Sequence, residues 1–149
     1  MTEAAAQEHR FPIRVYYEDT DAAGIVYYAN YLKFAERART EMLRAIGVEH
    51  RSLRDETGVA FAVRRCAVEY MAPARLDDLL EVRTRITDLR GAAIEAEQVV
   101  TRGNDELARL KVMLVCVGPG GNATRIPKPV RQAFAREPVP HSSKREKNG

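Results

Sequence analysis

One stretch of this chain, residues 27–46, repeats its apolar side chains at intervals of three and four, and most of the chain beyond residue 58 alternates with period two. The first period is the face of an α-helix and the second the face of a β-strand, so the chain is confined to helix-on-sheet architectures. Tyr31, Phe34, Ala35, Ala38, Met42, Ala45 and Ile46 make the helical stripe, and Gly47 is placed to end it in the left-handed conformation. A shorter helix over 49–56 would end at Gly58. Ahead of the long helix, residues 11–17 alternate as a strand; behind it the pattern predicts strands over 59–71, 80–87, 93–101 and 107–117. In the last of these Ala108, Leu110, Val112, Leu114 and Cys116 share one apolar face. Residues 127–134 add a terminal helical turn. The order predicts an α+β domain in which four late strands run as an antiparallel meander and the sheet curls around one long helix. Such a sheet has open edges, which predicts dimerisation by sheet extension.

The length of 149 residues suits one domain, which at this size buries about 68–70% of its unfolded surface without disulfides or a structural metal. We read residues 1–10 as a flexible extension, 11–135 as the folded domain and 136–149 as a disordered tail, since both ends are polar and nearly free of large apolar residues. Cys66 and Cys116 are too few and too far apart for a disulfide framework or a CxxC site, and are read as buried apolar groups in a reducing compartment. There is no apolar leader segment and no run of 18 apolar residues, so the expectation is a cytoplasmic protein without a membrane span. The net charge of +3 comes from basic residues interleaved with acids, with no basic stripe or RNA-binding motif, which argues against nucleic acid and is compatible with a small polyanionic substrate.

Counting excludes several chemistries. The three serines, Ser52, Ser142 and Ser143, lie in no nucleophile-elbow motif, and His9, His50 and His141 are scattered, which leaves no Ser triad and no metal site. Glycine spacing fits neither a P-loop nor a dinucleotide fingerprint, so no cofactor is expected. What stands out is the crowding of Glu18, Asp19, Asp21 and several tyrosines between the first strand and the long helix. One reading is an Asx turn, with Gly24 at positive φ and the tyrosines serving core or interface. The other is a carboxylate placed beside the free N–H groups of a helix start, where a developing oxyanion would be stabilised. Spacing alone favours the turn.

The segment Y-E-D-T-D-A-A-G-I-V-Y-Y-A-N-Y, followed by F-x-E-R-A-R-T-E-M-L-R, closely resembles the signature of the 4-hydroxybenzoyl-CoA thioesterase family, and within it the YbgC-type, tol-pal-associated acyl-CoA thioesterases of the hotdog fold. The likeness continues through Phe61-x-Val63-Arg64 and the Val68 to Asp78 stretch to Val117. It implies a sheet wrapped around the long helix, a homodimer or dimer of dimers with active sites at the subunit interface, and hydrolysis of acyl-CoA to a carboxylic acid and CoA. By resemblance the catalytic carboxylate is Asp21, acting as general base or nucleophile, with Asp19 a turn or support residue. The carbonyl-polarising donor is the backbone N–H of Tyr28, at the start of the helix. Many YbgC-type members carry His there, and this chain carries Tyr. Gly24 belongs to the same motif. Arg90, in a turn between strands, maps to a basic stretch that contacts nucleotide phosphate, and Arg64 is a second candidate for substrate binding. Glu36 and Glu41 are expected to pair with neighbouring arginines. A hydratase or dehydratase would need a His with an acidic partner. A rival of another class is a non-catalytic module that binds acyl-CoA or acyl carrier protein for phospholipid synthesis or the cell envelope.

Overall fold

The computed structural model describes residues 8–136, so the expectations for residues 1–7 and 137–149 lie outside the described residues. Five strands form one antiparallel sheet in the order β1-β3-β4-β5-β2, where β1 is His9–Arg14, β2 Ala60–Tyr70, β3 Leu79–Leu89, β4 Ala93–Arg102 and β5 Asp105–Val117. Helix α1, Asn30–Ala45, lies on one face of the sheet; α2 is His50–Thr57 and α3 is Lys128–Arg136. The α+β layering is the expected one.

The local periods explain these elements. On α1, Tyr31, Phe34, Ala35, Ala38 and Met42 are buried, joined by Leu43 between the expected positions, while Ala45 is exposed. Leu80, Val82, Thr84 and Ile86 of β3 and Ala108, Leu110, Val112, Leu114 and Cys116 of β5 turn inward against that stripe. Gly47, at φ +92°, ends α1 in a Schellman arrangement: its N–H donates to the Arg44 carbonyl and the Val48 N–H reaches the Leu43 carbonyl. The terminal helical turn is a nine-residue helix, α3, whose Val130, Ala133 and Phe134 are buried.

Three expectations need correction. Strand β1 spans His9–Arg14 rather than 11–17, because the chain turns sharply at Tyr17–Asp19. Helix α1 starts at Asn30, three residues later than its apolar stripe suggests, since Tyr27 to Ala29 form a turn closed by the Asn30 N–H on the Tyr27 carbonyl. The meander is three strands, β3-β4-β5, and β2 pairs with β5 at the far edge. The link over residues 71–78 is too long for a tight hairpin and carries the chain across three inter-strand spacings, about 14 Å.

Strand β2 is consequently an eleven-residue edge whose side chains are mostly exposed on both faces. Cys66, expected to be buried, is exposed for this reason; Cys116, on β5, is buried as expected.

Candidate active site

The strand-to-helix junction is built on Asp19. Its carboxylate is buried at 4% exposure, accepting the Tyr16 N–H at 2.8 Å through Oδ2 and the Asn30 side-chain amide at 2.9 Å through Oδ1. Its carbonyl accepts the Tyr27 N–H at 2.9 Å. One residue thus ties the exit of β1 to the first residue of α1, the support role that the resemblance suggests for it.

The loop beyond Asp19 folds back on itself. Thr20 and Val26 form an antiparallel bridge, and the Asp21 N–H donates to the Ile25 carbonyl at 2.9 Å. Asp21 Oδ1 accepts the Ala23 N–H at 2.8 Å, so the Asx turn anticipated from spacing is present. Asp21 is nonetheless exposed, and its Oδ2 has no partner among the described residues. The turn reading and the chemical reading therefore use different oxygens of one carboxylate. Gly24 completes the turn at φ +82°, and a Cβ there would meet nothing within 4 Å. Gly24→Ala is thus expected to cost about 1 kcal/mol through backbone conformation alone, read as a shift in the urea midpoint at unchanged slope.

The chain returns to α1 through Tyr27 and Tyr28. Tyr28 lies two residues ahead of the helix, and its N–H and that of Ala29 have no acceptor among the described residues. Ala29, the N-cap, makes no side-chain cap to the first turn. Free donors at the positive end of a sixteen-residue helix are suited to an oxygen that gains negative charge. No hydrogen bond joins Asp21 to Tyr28; they stand on the two arms of the same folded loop. The exposed Tyr28 ring stacks obliquely on Tyr27 at 4.9 Å and meets Tyr70 edge-on at 6.2 Å. Among the tyrosines of the segment only Tyr31 is core; Tyr16, Tyr17 and Tyr27 are exposed.

Arg90 and Arg64 are not brought to Asp21 within the chain. The Asp21 loop is joined to residues 74–78, ahead of β3, by the Ile25–Arg75 bridge and the Leu76 N–H on the Gly24 carbonyl, whereas Arg90 follows the other end of that strand, about 33 Å away by strand rise. The Arg90 guanidinium is held by Asp88 at 2.9 Å and Glu95 at 2.5 Å, and these partners push its pKa up. Arg64 is the extra residue of a bulge in β2, where the register shifts between Val63 and Arg65. Glu41 pairs with Arg44 at 3.7 Å, and no ion pair of Glu36 is seen among the described residues.

Sequence reasoning missed two features. Between α1, β2 and β5 lies a cavity of about 330 Å³, walled by Leu32, Leu43, Phe61, Val63, Val112 and Leu114. Glu36, Arg39, Thr40 and His50 add polar groups to its wall, and Leu32 lies on the first turn of α1. The second is a polar network beneath α1. Gln98, fully buried on β4, accepts from Arg39 Nη1 at 3.0 Å and donates to the Ala35 carbonyl and Thr84 Oγ1. A polar residue in a strand's alternation was the only signal for it. No group of metal-ligating side chains occurs among the described residues.

One long helix on a five-stranded antiparallel sheet, with the chain entering the helix from the first edge strand, is the α+β architecture of the hotdog fold. The profile of the thioesterase-like superfamily matches residues 15–134. The acyl-CoA thioester hydrolase YbgC of Escherichia coli O6:H1 is 52% identical over 111 residues, covering 74% of this chain and 82% of that protein. The acyl-CoA thioesterase YbgC of Haemophilus influenzae is 46% identical over 125 residues, covering 83% and 92%. A probable thioesterase from Bartonella henselae superposes with a TM-score of 0.78 at 37% identity, covering 81% of this chain and all of that one. The chain belongs to the YbgC-type family of this superfamily.

Proposed function

We propose that the protein hydrolyses acyl-CoA to a carboxylic acid and CoA, with Asp21 as general base or nucleophile and the Tyr28 N–H polarising the thioester carbonyl. The observation that carries this reading is the unpartnered Asp21 oxygen on a loop that folds back to two unpartnered N–H groups ahead of α1. As base, Asp21 takes a proton from water, the hydroxide adds to the carbonyl carbon, and the tetrahedral oxyanion collapses with expulsion of CoA thiolate. As nucleophile, Asp21 attacks that carbon itself, CoA thiolate leaves, and water cleaves the mixed anhydride to acid and free carboxylate. Both routes place negative charge on the same oxygen, beside the N–H donors. The 330 Å³ cavity suits the acyl group.

The site is completed in a homodimer. Strand β2 is a long open edge, and a second β2 pairing with it antiparallel would extend the sheet. A two-fold axis there places the Ala60 end of one β2 beside the Tyr70 end of the other. Arg90 lies toward the Ala60 end, the Asp21 loop toward the Tyr70 end and Arg64 near the middle of β2, so each Asp21 loop faces the end of the partner that carries Arg90, a neighbour for CoA phosphates, with Arg64 closer to the two-fold axis. Arg90 would exchange Asp88 or Glu95 for phosphate. Arg90→Ala is expected to raise KM for acyl-CoA about tenfold with kcat little changed, and to leave KM for the matching acyl-pantetheine, which has no nucleotide phosphates, unaltered.

Among the described residues no helix is long and apolar enough to cross a membrane; a cytoplasmic location is part of this proposal. A thiol-release assay over acyl-CoA thioesters of varied length, with an acyl carrier protein thioester alongside, tests the proposal. Turnover on at least one CoA thioester is expected. Tight binding without release of thiol would instead establish a non-catalytic module.

A further inference from the structure

We propose that Tyr70 is a positioning residue that aims the Ala29 N–H, beside that of Tyr28, as a second donor to the thioester oxygen. The inference rests on the thioesterase reading and adds to it a donor and the side chain that orients it.

Tyr70 is the last residue of β2, 42 positions from Tyr28 in sequence, and its hydroxyl donates to the Tyr28 carbonyl at 3.1 Å. That carbonyl and the Ala29 N–H belong to one peptide plane. In a trans peptide the two groups point in opposite directions, so the bond to Tyr70 sends the Ala29 N–H away from Tyr70. The preceding plane, which carries the Tyr28 N–H, is held in the same manner by the Asn30 N–H on the Tyr27 carbonyl at 2.8 Å. Both planes are pinned through their carbonyls, and both N–H groups are left without acceptors among the described residues.

Ring contacts connect the anchor to the core. The Tyr70 ring packs edge-on against Tyr28 at 6.2 Å and Tyr31 at 5.5 Å, and Tyr31 in turn meets the buried Phe34 at 6.0 Å. The Tyr28 carbonyl also accepts the Tyr31 N–H, at a longer 3.3 Å, while the Tyr31 hydroxyl accepts the Ala74 N–H at 2.9 Å, so Tyr70 supplies the shorter bond to that carbonyl. Partial burial, with Cys66, Tyr28 and Tyr31 nearby, pushes the Tyr70 phenol up, which keeps it a donor. In a reaction whose transition state gathers charge on one oxygen, a donor fixed in advance lowers the barrier without tightening the ground state.

The test is Tyr70→Phe, which retains the ring contacts and removes only the hydroxyl, assayed beside wild type and Asp21→Asn on the best acyl-CoA. The expected result is a fall in kcat of about tenfold, KM within about twofold of wild type, an unshifted melting temperature, and a chemical-shift change at the Ala29 amide. A purely structural Tyr70 would move the melting temperature and leave kcat per folded enzyme unchanged. Wild-type kcat in Tyr70→Phe, with Asp21→Asn inactive, overturns this proposal and leaves the thioesterase reading standing. A rise in KM equal to the loss of kcat also overturns it, since it assigns Tyr70 to substrate contact. Absence of turnover in the wild type across the thioester panel removes both.

Discussion

Asp21→Asn is expected to lower kcat for thioester hydrolysis by about a thousandfold while the protein remains folded. The substitution separates the two uses of this side chain. Asn keeps an acceptor oxygen for the Ala23 N–H, so the Asx turn and the Gly24 conformation it supports survive. An amide has neither the basicity to take a proton from water nor the charge to attack a carbonyl. The oxygen it replaces with NH₂ is the one without a partner, so no native hydrogen bond is lost. A melting temperature within a few degrees of wild type, with loss of thiol release, is the outcome that assigns Asp21 to chemistry. Near wild-type kcat would return Asp21 to the turn alone. Asp19→Asn is the informative contrast: its two acceptor bonds are internal, and an amide at one of those oxygens faces a donor. That variant should lose stability and activity together.

The largest stability effect is expected at Gln98. Gln98→Leu fits the volume and burial of the site but leaves the Arg39 guanidinium, 9% exposed, without its amide partner, and removes the donor to Ala35 and Thr84. Burial already holds the Arg39 pKa below the usual arginine range, with Glu36 and Cys66 acting in the opposite direction. An uncompensated buried cation beside two orphaned acceptors should cost about 3 kcal/mol, or about 10 °C in melting temperature. Urea denaturation measures it directly. The double variant Arg39→Met with Gln98→Leu should recover the larger part of the loss, because it removes the unpaired buried cation and leaves only the Ala35 carbonyl and the Thr84 hydroxyl without the Gln98 donor. A single-variant cost below about 1 kcal/mol would mean that water replaces the amide and that the network does not fasten α1 to the sheet.

The network shows where reading along the chain fails. Gln98 and Arg39 are 59 residues apart, and nothing near either indicates the other. The same holds for Tyr70, whose partner is a backbone carbonyl 42 residues away and whose side chain reads as one more aromatic in a strand. Asp21, Gly24 and Tyr28, by contrast, lie within eight consecutive positions, and their motif was legible because a turn and a helix start are built from neighbours. Even so, the motif placed the helix start too early. Tyr27 and Tyr28 continue the apolar stripe, yet the Asp19–Asn30 bond holds them in the turn ahead of it.

Periodicity, caps and the signature segment belong to the sequence by itself. A helix with its apolar stripe, strands with alternating faces, left-handed glycines at Gly47 and Gly58, and a carboxylate loop before α1 all follow from residues close together in the chain. Tertiary structure decided the rest. It set β2 beside β5 instead of β3, exposed Cys66 on that edge, put Arg64 on a bulge, and left Arg90 at the far end of β3 from Asp21. The physical reason is that a period records which face of an element is apolar, and any other element with an apolar face satisfies it equally well. Which faces meet is settled by the length of the links and by the few polar contacts, such as Gln98 to Arg39 and Tyr70 to Tyr28, that only one arrangement can make.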